Sequence, residues 1–199
     1  MSTDPSSPSL IYRSVKFIVR TALKLVWRLT VEGSENVPTQ GGVIVAPNHR
    51  SYADPPIVGC ALQREVHFLA KKELFSFRPF GWLIENLNAH PLNRAGDVGA
   101  FRAAARILKA GGVLIMFPEG KRMKTDALGE PKAGIGMLAN AAGAPVVPAY
   151  VQNSSHMLSL RRLRIRFGAP LYPRDFESYD ALARAVMDRI SALKADADG

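Results

Sequence analysis

Val45-Ala-Pro-Asn-His-Arg-Ser-Tyr-Ala-Asp-Pro-Pro-Ile57 is the stretch from which the rest of the chain is read. The apolar run that enters it, Gly42-Val-Ile-Val-Ala-Pro47, reads as a buried strand ending at proline. Asp54-Pro55 reads as an N-cap followed by proline at the first helical position. Between strand end and helix start stand His49 and Asp54. Five steps along a helix at about 100° each leave two side chains about 140° apart, and five along a strand put them on opposite faces. They meet only if the backbone turns, and a strand–loop–helix junction supplies a turn. A carboxylate against an imidazole fixes its tautomer and raises its basicity, which suits removal of a proton from a hydroxyl. A structural reading fits the same residues: Asp54 as a cap alone, His49 as a hydrogen-bonded loop residue.

A second stretch favours the catalytic reading. Gly112-Val-Leu-Ile-Met-Phe-Pro-Glu-Gly-Lys-Arg122 is another apolar strand running into a polar loop marked by proline and glycine. Two strand ends rich in functional groups suggest one site at the carboxyl edge of a sheet.

At 199 residues the chain fits one domain with a sizeable core, and its 47% hydrophobic and 22% charged contents are globular values. The formal net charge of +9 calls for an anionic partner: nucleic acid, an acidic membrane surface or a phosphorylated substrate. One cysteine, Cys60, cannot form an intramolecular disulfide, which points to a reducing compartment, and its apolar neighbours make it a core residue.

Met1 to Pro8 is Ser/Pro-rich, is read as disordered, and lacks the pattern of a secretory signal. Leu10 to Leu29 reads as one or two helices with Arg13, Lys16, Arg20, Lys24 and Arg28 on one side. Ile11, Val15, Ile18, Ala22, Leu25, Val26 and Leu29 fall on the other. Five regularly spaced cations exclude a membrane span. An in-plane helix with its cations at lipid headgroups fits, with Phe17 and Trp27 flanking the basic side, and so does a surface helix packed on its own core.

Strands are expected around Leu29–Glu32, at Gly42–Pro47, Val66–Ala70, Ala89–Leu92, Val113–Phe117, Pro145–Val151 and Leu163–Phe167. Helices are expected at Asp54–Leu62, Glu73–Leu87 (broken at Arg78-Pro79), Val98–Lys109, Ala133–Ala142 and Tyr179–Leu193. In the last strand Arg162, Arg164 and Arg166 share a face, solvated or against anionic lipid. The aromatic cluster Phe75, Phe77, Phe80 and Trp82 is core packing, a channel wall or a lipid contact. Strands alternating with helices mean an α/β fold: a single domain with a mixed, largely parallel central sheet flanked by helices, preceded by an N-terminal amphipathic helical segment.

His49-Arg-Ser-Tyr-Ala-Asp54 resembles the His-x-x-x-x-Asp signature of the glycerolipid acyltransferases, a group related to 1-acyl-sn-glycerol-3-phosphate acyltransferases, and Asn48 and Ser51 match its common form. Phe117-Pro-Glu-Gly120 resembles that family's third block, in which Lys121 stands where Thr or Ser is usual and Arg122 keeps the arginine. Lys71-Lys-Glu-Leu-Phe75, Gly81-Trp82 and the Arg94 region resemble the second block, and Val146-Val-Pro148 the fourth. Four blocks occur in order from about Val31 to Leu171. The resemblance implies a tail and membrane-surface helix over 1–30 and an acyltransferase domain over 31–199.

It further implies that His49 is the general base and Asp54 its orienting partner, with direct transfer of the acyl group and neither a covalent acyl-enzyme nor a metal. The donor would be acyl-CoA or acyl-carrier protein, with no other cofactor. The acceptor would be lysophosphatidic acid, acylated to phosphatidic acid in phospholipid synthesis, or another lysophospholipid or a glycolipid. Arg94, Glu119, Gly120, Lys121 and Arg122 would hold the acceptor, the arginines on its phosphate and Glu119 on a glycerol hydroxyl or an arginine. The expected location is the cytoplasmic side of a membrane, peripheral or monotopic.

Other functions fit less well. No nucleic-acid module is visible, and much of the patterned charge lies on a helix with an apolar reverse face, so no nucleic-acid partner is expected. No Gly-x-Ser-x-Gly elbow accompanies Ser51, and a nucleotide-type phosphate loop fails because Ile115 stands where its first glycine belongs. His67, His90 and His156 read as structural or surface residues. A catalytically silent lipid-binding module is the rival from another class.

Overall fold

The computed structural model describes residues 9–93 and 97–198. The Ser/Pro-rich start and Arg94 lie outside the described residues. Seven strands form one sheet in the order β1-β7-β6-β2-β5-β3-β4: β1 is Thr30–Glu32, β2 Val43–Pro47, β3 Val66–Lys71, β4 Ala89–Leu92, β5 Val113–Ile115, β6 Val146–Gln152 and β7 Arg164–Phe167. β2 to β6 run parallel, β7 runs antiparallel to β6, and β1 is parallel to β7.

The sequence explains this layering. All five residues of β2 are buried, an unbroken apolar run that suits only a strand covered on both faces. Val43 and Val45 join Ile57 and Val58 of helix α2 (Asp54–Ala61) on one face. Ile44 and Ala46 meet helices α4 (Val98–Lys109), α5 (Gly134–Ala142) and α6 (Tyr179–Asp198) on the other. α5 and α6 approach closely at Gly136, where a Cβ would stand 2.2 Å from the Tyr179 carbonyl oxygen. Asp97 starts α4 by accepting the N–H groups of Gly99 and Ala100.

Several boundaries differ from expectation. β5 stops at Ile115, although the Met116 N–H still reaches the Val45 carbonyl of β2 at 2.9 Å. The expected helix at 73–87 is a short turn, Lys72–Phe75, followed by α3 (Arg78–Asn86), in which Pro79 takes a first-turn position. Of the aromatic cluster, Phe75 packs on the small core beside β4, whereas Phe77, Phe80 and Trp82 are exposed. β7 begins one residue later than expected, and Leu163 just before it, with Ile165 and Phe167 within it, is buried as the alternation requires. The reverse face is an ion-paired one: Glu32 of β1 takes Arg164 at 3.4 Å and Arg166 at 2.7 Å.

Helix α1 (Leu10–Val26) is one helix, docked on α2, and it corrects the simple two-faced reading. Tyr12 and Leu23 are the buried anchors, with the Tyr12 hydroxyl accepting the Val66 N–H. Lys16 lies on this packed side and donates to the carbonyls of Gln63 and Arg64. Trp27 packs on the core and donates its indole N–H to the Met157 carbonyl at 2.8 Å. Both residues are half-buried and spend their polar hydrogens on the protein's own carbonyls. What α1 leaves exposed is a strip of Leu10, Phe17, Ile18 and Leu25, with Arg13 and Lys24 also exposed. Among the described residues, no helix is long and apolar enough to cross a membrane.

Candidate active site

β2 is central, and its carboxyl end delivers the loop between Asn48 and Asp54 at the sheet edge where α/β folds bind ligands. Asn48 is buried and clamps the strand end to β6: its amide donates to the Val151 carbonyl, and its oxygen accepts the Val151 N–H at 2.7 Å. The chain then turns tightly. Ser51 supports the turn, its hydroxyl accepting the Ala53 N–H and its carbonyl the Asp54 N–H.

Asp54 does not cap α2. Ala53 occupies that position, and the Asp54 carboxylate folds back into the loop. Its Oδ2 accepts the backbone N–H groups of Arg50 and Ser51 at 2.7 Å each and sits 2.9 Å from Nδ1 of His49. The carboxylate is fully buried, while 17% of the His49 side chain is exposed. Two backbone donors and one imidazole converge on one oxygen, which fixes the carboxylate in the loop and the ring in one orientation. A proton on Nδ1 then leaves Nε2 with a free lone pair. Phe117 stacks on the imidazole at 3.8 Å with 18° between planes, fixing the ring from one side.

The second strand end reaches the same place. Its loop is tied to the first by the Met123 N–H on the His49 carbonyl at 2.8 Å and by Arg50 on Asp126. Glu119 is buried, and its carboxylate accepts the N–H groups of His49 and Gly129. Through these amides Glu119 braces the two loops. Burial pushes its carboxyl above the ordinary glutamate value, partly offset by those amides.

Gly120 turns with φ +67°, a left-handed conformation that glycine adopts freely. Lys121 and Arg122 follow on the exposed side, and the Arg122 guanidinium lies 3.6 Å from the Tyr52 ring centroid. Arg122 is therefore held over the His49–Asp54 loop. Pro148 is buried in β6 opposite Ala46 and shapes the sheet beneath the site. Behind the 48–50 segment lies a polar cavity of about 170 Å³, lined by Asn48, Arg50, Asp126 and Ser154 among others.

His49, Asp54, Glu119, Gly120 and Arg122 are thus brought together, with Asn48 and Ser51 supporting the loop. Phe117 and Tyr52 are site residues that the sequence reading did not single out. Phe117 stood beside Pro118 at a strand end, but only the pairing of β2 with β5 reveals what it touches.

Residues 28–152 match the family model described as Acyltransferase. A 1-acyl-sn-glycerol-3-phosphate acyltransferase of Bacillus subtilis (strain 168) is 27% identical over 195 residues, covering 92% of this chain and 97% of the relative. A protein of the same name from Streptococcus pneumoniae is 30% identical over 179 residues, 83% of this chain and 66% of the relative. The crystal structure of the 1-acyl-sn-glycerophosphate (LPA) acyltransferase PlsC from Thermotoga maritima matches with a TM-score of 0.76 at 28% identity, covering 92% of this chain and 81% of that one. With the model spanning most of the sheet and both site loops, this chain belongs to the acyltransferase family and is an enzyme of that class.

Proposed function

We propose that this enzyme moves a fatty acyl group from an acyl thioester to the sn-2 hydroxyl of 1-acylglycerol 3-phosphate, producing phosphatidic acid. The observation that carries the mechanism is the 2.9 Å contact between His49 Nδ1 and a buried Asp54 held by two backbone amides. The names of the relatives support the substrate. Nε2 of His49 takes the proton of the acceptor hydroxyl as its oxygen attacks the thioester carbonyl. The tetrahedral intermediate collapses, the C–S bond breaks, and the imidazolium returns the proton to the leaving thiolate. An alcohol and a thioester become an ester and a thiol, with no group left on the protein.

Asp54 stabilises the imidazolium and keeps its proton on Nδ1. Arg122, together with Arg94 and Lys121, binds the acceptor phosphate, and Gly120 lets it approach the backbone. Glu119 acts on the loops. The donor is acyl-CoA or acyl-carrier protein. The exposed strip of α1 rests on the cytoplasmic side of an anionic membrane, where Arg13 and Lys24 meet headgroups.

The test is thiol release from acyl-CoA by purified protein in vesicles, with and without 1-acylglycerol 3-phosphate. Acceptor-dependent release that falls by at least about 10²-fold in His49→Ala supports the reading. Release that ignores the acceptor would make the enzyme a thioester hydrolase, and full activity in folded His49→Ala would remove the base.

A further inference from the structure

The connection between β6 and β7 places apolar side chains in water although its base is hydrogen-bonded to the fold. Leu158 is 100% exposed and Leu160 is 60% exposed. Leu160 also holds φ +50°, a region L-residues adopt at a cost. The connection is nonetheless tied to the fold at both ends. The Met157 carbonyl accepts the Trp27 indole N–H, Asn153 donates to the Arg162 carbonyl at 2.9 Å, and Ser154 is buried. Arg161 and Arg162 follow at once, both exposed.

The connection also sits beside the chemistry. It leaves β6 just after Val151, which is bonded in both directions to Asn48, the neighbour of His49. Through Trp27 it is joined to the end of α1, where Leu25 and Val26 are likewise exposed. Leucines at a tip and guanidiniums behind them match a bilayer, apolar below the headgroups and anionic at the phosphates.

We propose that residues 154–162, with Leu158 and Leu160 entering the lipid and Arg161 and Arg162 on its phosphates, form a membrane-contact element besides α1. The element sets the sheet edge that carries His49 onto an anionic bilayer, so that a lipid acceptor reaches the base laterally. This rests on the reading of the acceptor as a lipid.

The experiment is co-sedimentation of the full chain with phosphatidylcholine vesicles and with vesicles also containing phosphatidylglycerol. Turnover of a short-chain, monomerically dispersed 1-acylglycerol 3-phosphate is measured in parallel. Leu158→Glu/Leu160→Glu is expected to bind the anionic vesicles at least about tenfold more weakly, since burying a leucine favours association by about that factor or more. Its turnover of the dispersed acceptor stays at the wild-type level, because Leu158 has no packing to lose and Leu160 is mostly exposed. Arg161→Gln/Arg162→Gln is expected to lose preference for the anionic vesicles by about fivefold per charge, and the loss shrinks in high salt.

Unchanged vesicle binding by the folded leucine variant would overturn the proposal. Retained vesicle binding with lost turnover of a carrier-protein-bound donor would overturn it too, in favour of a docking surface for that protein. Absent turnover of the dispersed acceptor by the wild type would defeat the catalytic reading alone, and the vesicle measurement would still decide this one.

Discussion

Asp54→Asn keeps the shape of the side chain and removes its charge. In the native protein Oδ2 serves the Arg50 and Ser51 N–H groups and His49 Nδ1, while Oδ1 is buried without a hydrogen-bond partner. If the amide oxygen takes the place of Oδ2, the amide NH₂ falls where Oδ1 lies and is buried unpaired. If the amide turns over, the two backbone N–H groups lose their acceptor, and the imidazole meets a donor that drives its proton onto Nε2. Either orientation costs about 1–3 kcal/mol of stability, the range for a buried polar group left unpaired. Turnover should fall by about 10²–10⁴-fold, the range of general acid–base catalysis, because the base has lost its counter-charge or its tautomer. Asp54 acts only through His49, so the double variant with His49→Ala should be no slower than His49→Ala alone. Thiol release reads turnover, and urea unfolding of each variant separates lost folding from lost chemistry. Multiplying effects, or a folded Asp54→Asn enzyme with wild-type turnover, would refute the dyad.

Two further outcomes follow from groups away from the base. Lys16→Met should lose about 1–2 kcal/mol in urea unfolding, from the two carbonyls its ammonium serves, yet bind anionic vesicles as the wild type does; a drop in vesicle binding would return Lys16 to the lipid surface. His67 and His90 lie 3.2 Å apart, and burial lowers both pKa values, with the charge of His90 lowering His67 further. The unfolded chain therefore binds more protons than the native one below about pH 6.5, and stability is lost as pH falls from there towards the lowered native values, by up to about 1.4 kcal/mol per pH unit per histidine. Glu119, its pKa raised, acts in the opposite sense, its penalty easing as pH falls. His67→Gln/His90→Gln should accordingly flatten the loss measured between about pH 7 and pH 5, and an unchanged slope would exclude the pair as its source.

Much of the fold is visible in local pattern. The unbroken run at β2 announced a strand covered on both faces, and the alternation in β7 assigned its buried side correctly. The pairing of His49 with Asp54 was also legible, because a turn between a strand end and a helix start brings residues five apart together. The roles of single side chains were less so. Asp54 looked like a helix cap because Asp before Pro has that composition; its carboxylate instead serves N–H groups behind it, where the loop offers more donors. Lys16 sits in a regular row of cations, and only the docking of α1 on α2 shows it reaching the Gln63 and Arg64 carbonyls. Glu119 invited a substrate role, since nothing local told that its carboxylate would be buried against the His49 amide seventy residues away.

The sequence by itself determined the class of fold, the strands that carry the site, the facing pair of imidazole and carboxylate, and the family. The first three depend on periodicity, turn chemistry or short spacing, which act over a few residues, and the family on the resemblance of four motif blocks in order. Only the tertiary structure decided that Phe117 stacks on His49, that Glu119 braces the loops, that Arg122 lies over Tyr52, and that Trp27 and Lys16 face inward. Those contacts follow from sheet order and helix docking, which bring β2 against β5 and α1 against α2, and no local pattern encodes which distant partner a strand edge or helix face will meet.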